Sequence, residues 1–214
     1  MHKLMNNIGS AYGRLHIFKR AMDATKRAMK MEPDYAKVLL QGNAYDNLGM
    51  FKEAVKSYRQ AVRIEPDNSE AYYNLGKAYG KLELFKEAAD AYKKAVGVNP
   101  DDARACYGLG NAYGKLGQYK AAVSYIKRTI KIKPSMSRAH KSLGIYYGML
   151  GMFKEAEEAL SNAIKIEPTN THARYNLAIV CLEMQDRHSA LREYNILKDI
   201  SPPVAEKLNK MLQG

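Results

Sequence analysis

The chain has 214 residues, of which 46% are apolar and 26% are charged, so it can form a packed core and is too apolar for general disorder. Its net charge of +12 favours acidic partners, and its two cysteines form no CxxC pair that would indicate a zinc site. No apolar run approaches the roughly 18 residues of a membrane span, and the N-terminal residues lack the apolar core of a signal peptide. We therefore expect a cytoplasmic protein, with peripheral attachment to a membrane or organelle surface as a second option.

Prolines recur along the chain with a fixed period. Six of the seven are separated by 33 or 34 residues, and they are Pro33, Pro66, Pro100, Pro134, Pro168 and Pro202. A column of glycine and a column of alanine keep the same period, namely Gly9, Gly42, Gly76, Gly110 and Gly144, and Ala21, Ala54, Ala88, Ala122, Ala156 and Ala190. A fixed period of this length is typical of a solenoid, so the sequence predicts a stack of similar units.

Each unit is predicted to contain two helices joined by a tight turn. Glycine inside a helix costs up to about 1 kcal/mol relative to alanine, so we expect the recurring glycine of the first helix, such as Gly76, to mark a close approach of the two helices. The recurring alanine of the second helix, such as Ala88, serves the same approach, and the tyrosine column that includes Tyr79 fills the volume around it. The turn between the helices is marked by Gly49, Gly117 and Gly151.

The six units span about 2–34, 35–68, 69–102, 103–136, 137–170 and 171–202. A short helix follows over 203–214, and the stripe of Val204, Leu208 and Leu212 predicts a capping helix with a polar outer face. No such cap precedes the first unit, whose opening helix keeps an apolar stripe that we interpret as a self-association edge. This edge consists of Leu4, Met5, Ile8 and Tyr12.

The third unit reads AYYNLGKAY over residues 71–79 and FKEAADAY over residues 85–92, and it ends at Asn99 and Pro100. This pattern of small and large side chains resembles the tetratricopeptide repeat (TPR) family, and the resemblance extends over about 2–202. It implies an all-α fold, a right-handed superhelical solenoid of antiparallel helix pairs, with six TPR-like repeats in a single domain over 1–202 and a capping helix over 203–214. It also implies a non-enzymatic interaction scaffold or adaptor, with a concave groove lined by the first helix of each pair.

No motif in the sequence indicates catalysis. The five histidines show no metal-ligand spacing, and there is no P-loop, GxSxG or GxGxxG motif. Cys106 and Cys181 occupy packing columns, where a buried thiol behaves as a small apolar side chain. We therefore expect no enzyme activity, no cofactor and no metal site.

The positions of the first helices that lie between the packing columns are predicted to line the groove. They combine cations with tyrosine, which gives rigid contact area, and asparagine, which can bond both backbone groups of an extended peptide. The predicted groove residues are Asn43, Tyr73, Asn74, Lys77, Lys81, Arg104, Tyr107, Asn111, Lys115, Arg138, Lys141, Tyr175 and Asn176. We expect them to bind an extended or helical, acidic protein segment. A chaperone-tail clamp of the kind known in the family is not expected, because Leu39 and Gly108 stand where two of its cations belong.

The basic residues are concentrated in the fourth unit, which contains seven of them and no acidic residue. Five belong to its second helix or the following turn and form a basic patch of Lys120, Lys127, Arg128, Lys131 and Lys133. This patch predicts attraction to an acidic protein or to anionic lipid headgroups. Nucleic acid is less favoured, because no recognised reading module accompanies the charge.

Three functions stay open at this point. The first is a scaffold that binds a protein segment in its groove. The second is a self-assembling homo-oligomeric scaffold, in which the uncapped first repeat of one molecule docks into the groove of the next, similar to the magnetosome-type, organelle-associated members of the family. The third is an adaptor for an anionic lipid or nucleic-acid surface that uses the basic patch.

Overall fold

The computed structural model describes residues 34–213, and within this range the chain forms eleven α-helices and no β-strand. Four of the helices belong to a first compact unit, which ends at Asn99. They are α1 (Asp34–Asn47), α2 (Phe51–Ile64), α3 (Ser69–Lys81) and α4 (Phe85–Val98). α1 packs against α2 and α3 against α4, and α2 and α1 both contact α3, so that the two pairs stack.

The other seven helices belong to a second compact unit, which begins at Pro100. They are α5 (Ala103–Lys115), α6 (Tyr119–Ile132), α7 (Ser137–Met149), α8 (Phe153–Ile166), α9 (Thr171–Glu183), α10 (Arg187–Ile200) and α11 (Pro202–Gln213). Consecutive helices pack together, and α7 also contacts both α5 and α9. The all-α solenoid of helix pairs expected from the sequence is confirmed, whereas a single domain over 1–202 stays a prediction. None of the helices within 34–213 has the length and apolar content to cross a membrane.

The recurring glycines of the first helices lie where the second helix approaches most closely. A Cβ atom added to Gly76 would lie 2.8 Å from the ring of Tyr92. The same relation holds for Gly42 with Tyr58, for Gly110 with Ile126 and for Gly144 with Leu160. The predicted close approach is therefore confirmed. The side chain nearest each glycine is a large residue of the second helix, while Tyr45, Tyr79 and Tyr147 of the tyrosine column pack against the surrounding core.

The turn inside each pair requires a left-handed backbone at one fixed position. Gly49, Gly117 and Gly151 have φ angles of 74°, 73° and 71° there, as expected for a glycine after a helix. The equivalent residues of the other two described pairs are Glu83, with φ of 60°, and Gln185, with φ of 63°. Because a side chain disfavours this conformation, these two turns carry local strain.

The last helix pair contains a nearly buried ion pair. The Arg174 guanidinium in α9 lies 2.6 Å from the Glu193 carboxylate in α10, and the exposed fractions of the two side chains are 12% and 6%. The residues that stand in the place of Glu193 in the earlier pairs are Ser57, Ala91, Tyr125 and Ala159.

The C-terminal helix α11 covers the last pair. It contacts both α9 and α10, and it buries Ala205, Leu208 and Leu212, while Lys207 and Lys210 are exposed. The Arg187 side chain donates a hydrogen bond to the carbonyl of Leu212, which fixes the end of the helix. These contacts agree with the capping helix predicted from the sequence. The self-association edge of Leu4, Met5, Ile8 and Tyr12 lies outside the described residues.

Candidate functional site

The predicted groove residues all belong to first helices, and the structure divides them between the two units. The first unit contains Asn43 on α1 and Tyr73, Asn74, Lys77 and Lys81 on α3. The second unit contains Arg104, Tyr107, Asn111 and Lys115 on α5, Arg138 and Lys141 on α7, and Tyr175 and Asn176 on α9. We call the surface formed by these helices the first-helix face of each unit.

On the first-helix face of the first unit, two of the predicted asparagines bond to each other. The hydroxyl of Tyr58 donates to the side-chain oxygen of Asn43 at 2.8 Å, and the amide nitrogen of Asn74 donates to the same oxygen at 3.3 Å. Burial, together with nearby carboxylates, raises the pKa of Tyr58 well above its ordinary value, so its hydroxyl stays a donor. Asn74 is itself buried. These amides therefore contribute to the internal packing of the unit.

The cation in the middle of the same face is also paired. The Lys77 ammonium lies 2.7 Å from the carboxylate of Asp46, whose side chain is only 9% exposed. The ring of Tyr73 packs 5.8 Å from the buried ring of Tyr92. Lys81 is exposed at the end of α3. The first unit thus presents a polar surface whose central groups already have internal partners.

The first-helix face of the second unit is apolar at its centre. Ile145 and Met149 of α7 and Ile179 of α9 line a cavity of 390 Å³, together with Phe153 and Val180. Its polar lining comes from Asn176 and Glu183. A second cavity of 430 Å³, between α5 and α7, shares Ile145 and Met149 with the first. We call Ile145, Met149 and Ile179 the apolar trough. Met149 is 62% exposed, more than any other large apolar side chain within 34–213.

A tyrosine that the sequence analysis did not single out forms one wall of the second cavity. The hydroxyl of Tyr146 donates to Asn111 at 2.8 Å, and its ring stacks on Tyr119 with centroids 6.2 Å apart. A Cβ atom added to Gly114 would lie 2.3 Å from this ring. Burial is the main cause that raises the pKa of Tyr146 to about 12, so it is neutral at pH 7. Its sequence signal is the replacement of an alanine, since Ala78 and Ala112 stand at this position in the two preceding repeats.

Cations flank the apolar trough. The Arg138 guanidinium lies 4.9 Å from the centroid of the Tyr107 ring, a cation–π geometry. Lys115 is exposed and lines the second cavity, and Lys141 is half-buried on α7. Arg104 binds the carboxylate of Asp102, the residue that caps α5, at 3.1 Å. The trough therefore lies among positive side chains.

At the far end of this face, two predicted groove residues make local contacts. The amide nitrogen of Asn176 donates to the carbonyl of His172 in its own helix at 2.6 Å. The hydroxyl of Tyr175 lies 3.6 Å from the sulfur of Met211 in the capping helix. Asn176 still lines the 390 Å³ cavity, whereas Tyr175 is directed towards the cap.

Several side chains of types that are common in active sites contact the backbone of their own repeat. The side chains of Cys106, His140 and Arg174 occupy one repeat position, and each contacts the carbonyl of the proline six residues earlier, at 3.8, 2.8 and 2.9 Å. Burial raises the pKa of Cys106, and it raises that of Cys181 to about 11, which disfavours the reactive thiolate. Within 34–213, histidine, cysteine and acidic side chains form no cluster that could hold a metal ion.

The basic patch is divided by the structure. Lys120, Lys127 and Lys131 of α6 and Lys133 after it are exposed. Arg128 instead turns to the start of the unit, where its guanidinium donates to the carbonyl of Pro100 at 2.6 Å. The four lysines are thus available to solvent, while Arg128 stabilises the inter-repeat turn.

Comparisons with known proteins give one family and one fold. Three family models, described as TPR repeat or tetratricopeptide repeat, match residues 42–83, 73–137 and 149–205. No curated protein sequence matches the chain significantly.

Solved structures match most of the chain. The crystal structure of YrrB, described as a TPR protein with an unusual peptide-binding site, is 25% identical, with a TM-score of 0.73 over 90% of this chain and 97% of that one. A crystal structure of MamA is 25% identical, with a TM-score of 0.70 over 79% and 95% of the two chains. PilW, described as a widely conserved type IV pilus biogenesis factor, is 22% identical, with a TM-score of 0.78 over 96% of each chain, and it shows the fold alone.

Proposed function

Because the chain belongs to the tetratricopeptide repeat family, we propose that it is a protein-interaction scaffold that binds a peptide segment on the first-helix face of its second unit. Repeats of this family are typically non-enzymatic interaction modules. The similar structure of YrrB is described as having a peptide-binding site, which supports the same kind of ligand here.

The observation that carries this proposal is the apolar trough. Its two cavities leave Ile145, Met149 and Ile179 partly or largely exposed on the first-helix face of the second unit. Covering an apolar side chain with a partner contributes about 1.5–3 kcal/mol when the burial is complete. Methionine also adapts its shape to different partners. The ligand expected here is therefore a segment that inserts at least one apolar side chain into each cavity.

The surrounding charges favour acidic residues beside those apolar side chains. Lys115, Arg138 and Lys141 lie on the same face, and Glu183 is the acidic residue of the trough lining. Charges at the rim of an interface act mainly on the association rate and on the choice of partner. We expect peptides with carboxylates on either side of an apolar core to be selected.

Peptide display on the intact protein tests this function. Displayed peptides are enriched for binding, and the affinity of the best one is measured by fluorescence anisotropy against wild type and Met149→Ala/Ile179→Ala. We expect the variant to bind at least about thirtyfold more weakly, which is the loss of one anchor, because central interface anchors commonly contribute about 2 kcal/mol each. Lys81→Ala, at the α3 position equivalent to Met149, is the matched control and should bind as wild type does. Enrichment of peptides that are unaffected by the double variant would contradict the proposal.

Self-assembly through the first repeat is a second proposal, and it has to overcome a repulsion between positive charges. The edge that would dock, Leu4, Met5, Ile8 and Tyr12, belongs to a stretch of residues 1–34 with seven basic and three acidic side chains. Lys115, Arg138 and Lys141 lie on the same face as the trough, so the net positive charge of this stretch opposes its docking there. Light scattering of wild type and Leu4→Lys/Ile8→Lys over a concentration series tests it, and a wild-type protein that stays monomeric throughout would contradict it.

A further inference from the structure

The α6 helix differs from the other second helices in how its N-terminus is stabilised. α2, α4 and α8 carry Glu53, Glu87 and Glu155 in their first turns, where a negative charge interacts favourably with the helix dipole. α10 has no acidic residue there, but the Asp186 side chain caps it by accepting from the backbone of Ser189. In α6 the equivalent of the glutamate is Ala121, and the N-cap residue Gln118 makes no side-chain cap.

Among the second helices within 34–213, α6 therefore lacks both devices, and Lys120, like Lys52, Lys86 and Lys154 at the same position of α2, α4 and α8, adds a positive charge near the positive end of the helix dipole. A local rule that is broken without a compensating contact is characteristic of a functional surface. The absence of acidic residues from α6 is thus unfavourable for the isolated helix, and it distinguishes α6 from α2, whose exposed Lys52, Lys56, Arg59 and Arg63 keep the same spacing beside Glu53.

The lysines of α6 form a straight exposed stripe. Lys120, Ser124, Lys127 and Lys131 are spaced i, i+4, i+7 and i+11, so they lie on one side of the helix over about 16 Å. All four are exposed, and the opposite side of the helix is buried through Ala122, Ile126 and Thr129. No carboxylate of residues 34–213 lies within 4.0 Å of the three lysine ammonium groups. We call Lys120, Lys127 and Lys131 the lysine stripe.

The lysine stripe is only one helix wide. The neighbouring helix α8 carries Glu155, Glu157 and Glu158, and two of them share with Lys127 the lining of a cavity of 280 Å³. A bilayer or a nucleic-acid duplex laid over α6 is broad enough to cover these carboxylates as well, and they would repel it. A single polypeptide segment covers less of α8 and meets fewer of these carboxylates, although Glu155 and Glu158 lie near Lys127. The charge pattern therefore fits a single acidic polypeptide segment.

We propose that the lysine stripe is a second docking surface, for an acidic polypeptide segment that runs along α6. The stripe faces away from α5, which packs against the buried side of α6, so it is separate from the apolar trough. A helical ligand with carboxylates at the same spacing as the lysines would place each one opposite a cation. The exposed part of the stripe contains no apolar side chain, so the association is electrostatic and weakens as salt rises.

The test uses a labelled, alanine-rich helical peptide with glutamates at i, i+4, i+7 and i+11, titrated with the full chain at low and at raised ionic strength. Two charge-reversed variants are compared with wild type, Lys120→Glu/Lys131→Glu on α6 and Lys154→Glu/Lys165→Glu on α8. Both pairs are exposed lysines at the same two repeat positions, and both variants change the net charge equally. We expect the α6 variant to bind about tenfold more weakly and the α8 variant to change by less than about threefold.

Lys120→Glu places a favourable negative charge in the first turn of α6, whereas Lys131→Glu places an unfavourable one in the last turn, so the two effects on the helix dipole oppose each other. Circular dichroism checks that both variants keep wild-type helicity. Equal losses for the two variants would overturn the proposal, since they would show that net charge alone matters. It would also be overturned if phosphatidylserine vesicles or a DNA duplex bound more tightly than the peptide through the same lysines. Met149→Ala/Ile179→Ala must bind the peptide as wild type does, and a loss there would place the peptide in the trough instead.

Discussion

In the first unit the first-helix face is polar and its side chains bond to one another, whereas in the second unit the same repeat positions surround two cavities with apolar side chains. Lys77, which pairs with Asp46, is replaced by Ile145 two repeats later, and Lys81 is replaced by Met149. The backbone is built in the same way in both units, from the same glycine and alanine positions. What differs is the set of side chains between those positions. These side chains decide whether a partner meets polar groups that already have hydrogen-bond or ion-pair partners, or exposed apolar groups.

The difference has an energetic meaning for binding. A ligand on the first unit has to compete with the bonds of Asn43 and Asn74 to internal partners, and exchanging one hydrogen bond for another contributes little net free energy. A ligand on the second unit removes the exposed surface of Met149 and its neighbours from water, which is favourable in proportion to the area covered. The second unit is therefore where we expect peptide binding to be strong.

Substitutions at two equivalent glycines test this comparison, and we expect them to change the free energy of unfolding most. Gly114→Ala in the second unit should lower the free energy of unfolding by about 2–3 kcal/mol, because the new methyl group overlaps the ring of Tyr146. Gly80→Ala in the first unit meets no atom within 4 Å and should raise it by about 0.5–1 kcal/mol. Urea denaturation of both variants gives the two values.

A double variant shows whether Tyr146 alone makes the two glycines different. In the background of Tyr146→Ala, which restores the residue of the two preceding repeats, Gly114→Ala should cost less than about 1 kcal/mol. If the cost stayed the same in this background, the contrast between the units would have another origin.

A smaller effect is expected at alkaline pH. Burial raises the pKa of Tyr146 to about 12, whereas a tyrosine in the unfolded chain ionises near its ordinary pKa of about 10. The folded state then keeps a proton that the unfolded state loses, so the stability from this residue is complete below pH 10 and is lost as the pH rises towards 12. Tyr146→Phe should show a decrease in unfolding free energy over this range that is smaller by about 2 kcal/mol. Denaturant titrations at several pH values measure it, and identical decreases would contradict the burial argument.

The smallest effect concerns a feature that the two units share. Glu83 in the first and Gln185 in the second hold left-handed backbones where the other turns have glycine. Replacing either by glycine should raise the free energy of unfolding by about 0.5–1 kcal/mol, because the relief of the side-chain clash exceeds the entropy cost of glycine. Thermal and urea denaturation check this, with Gly117→Ala as the reverse control, which should destabilise. Opposite signs for Glu83→Gly and Gln185→Gly would show that the two turns are not equivalent.

The sequence predicted those parts of the fold that repeat. Proline, glycine and alanine occupy the same turns and helix contacts in every unit. Their period alone therefore predicts the helix pairs, the close approach at Gly76 and the turn at Gly117. The capping helix was also predictable, because Leu208 and Leu212 lie on one stripe of a short segment. In each of these cases a backbone requirement or the burial of an apolar stripe selects the residue type, so the sequence pattern alone indicates the structure.

The candidate site was predictable only in position. Which side chains of the first helices remain available depends on contacts between residues 15 to 35 positions apart, such as Tyr58 with Asn43 and Tyr146 with Asn111. These contacts differ from repeat to repeat, so the repeat period does not predict them. Their sequence signal is a residue that departs from its column. Examples are Tyr146, where the preceding repeat has Ala112, and Ala121, where the next repeat has Glu155. Whether the predicted groove residues bind a ligand stays a prediction.

The buried ion pair of Arg174 and Glu193 bears on how a chain of similar repeats avoids folding out of register. Most helix pairs here are held by interchangeable small and apolar residues, so a second helix could pack on the wrong first helix with little penalty. If α10 packed against another first helix within 34–213, its glutamate would meet Val38, Tyr72, Cys106 or His140 in place of the arginine. Away from Arg174 the buried carboxylate would keep only the longer contact with Arg192 of its own helix, 3.9 Å away, so the ion pair favours the correct neighbour.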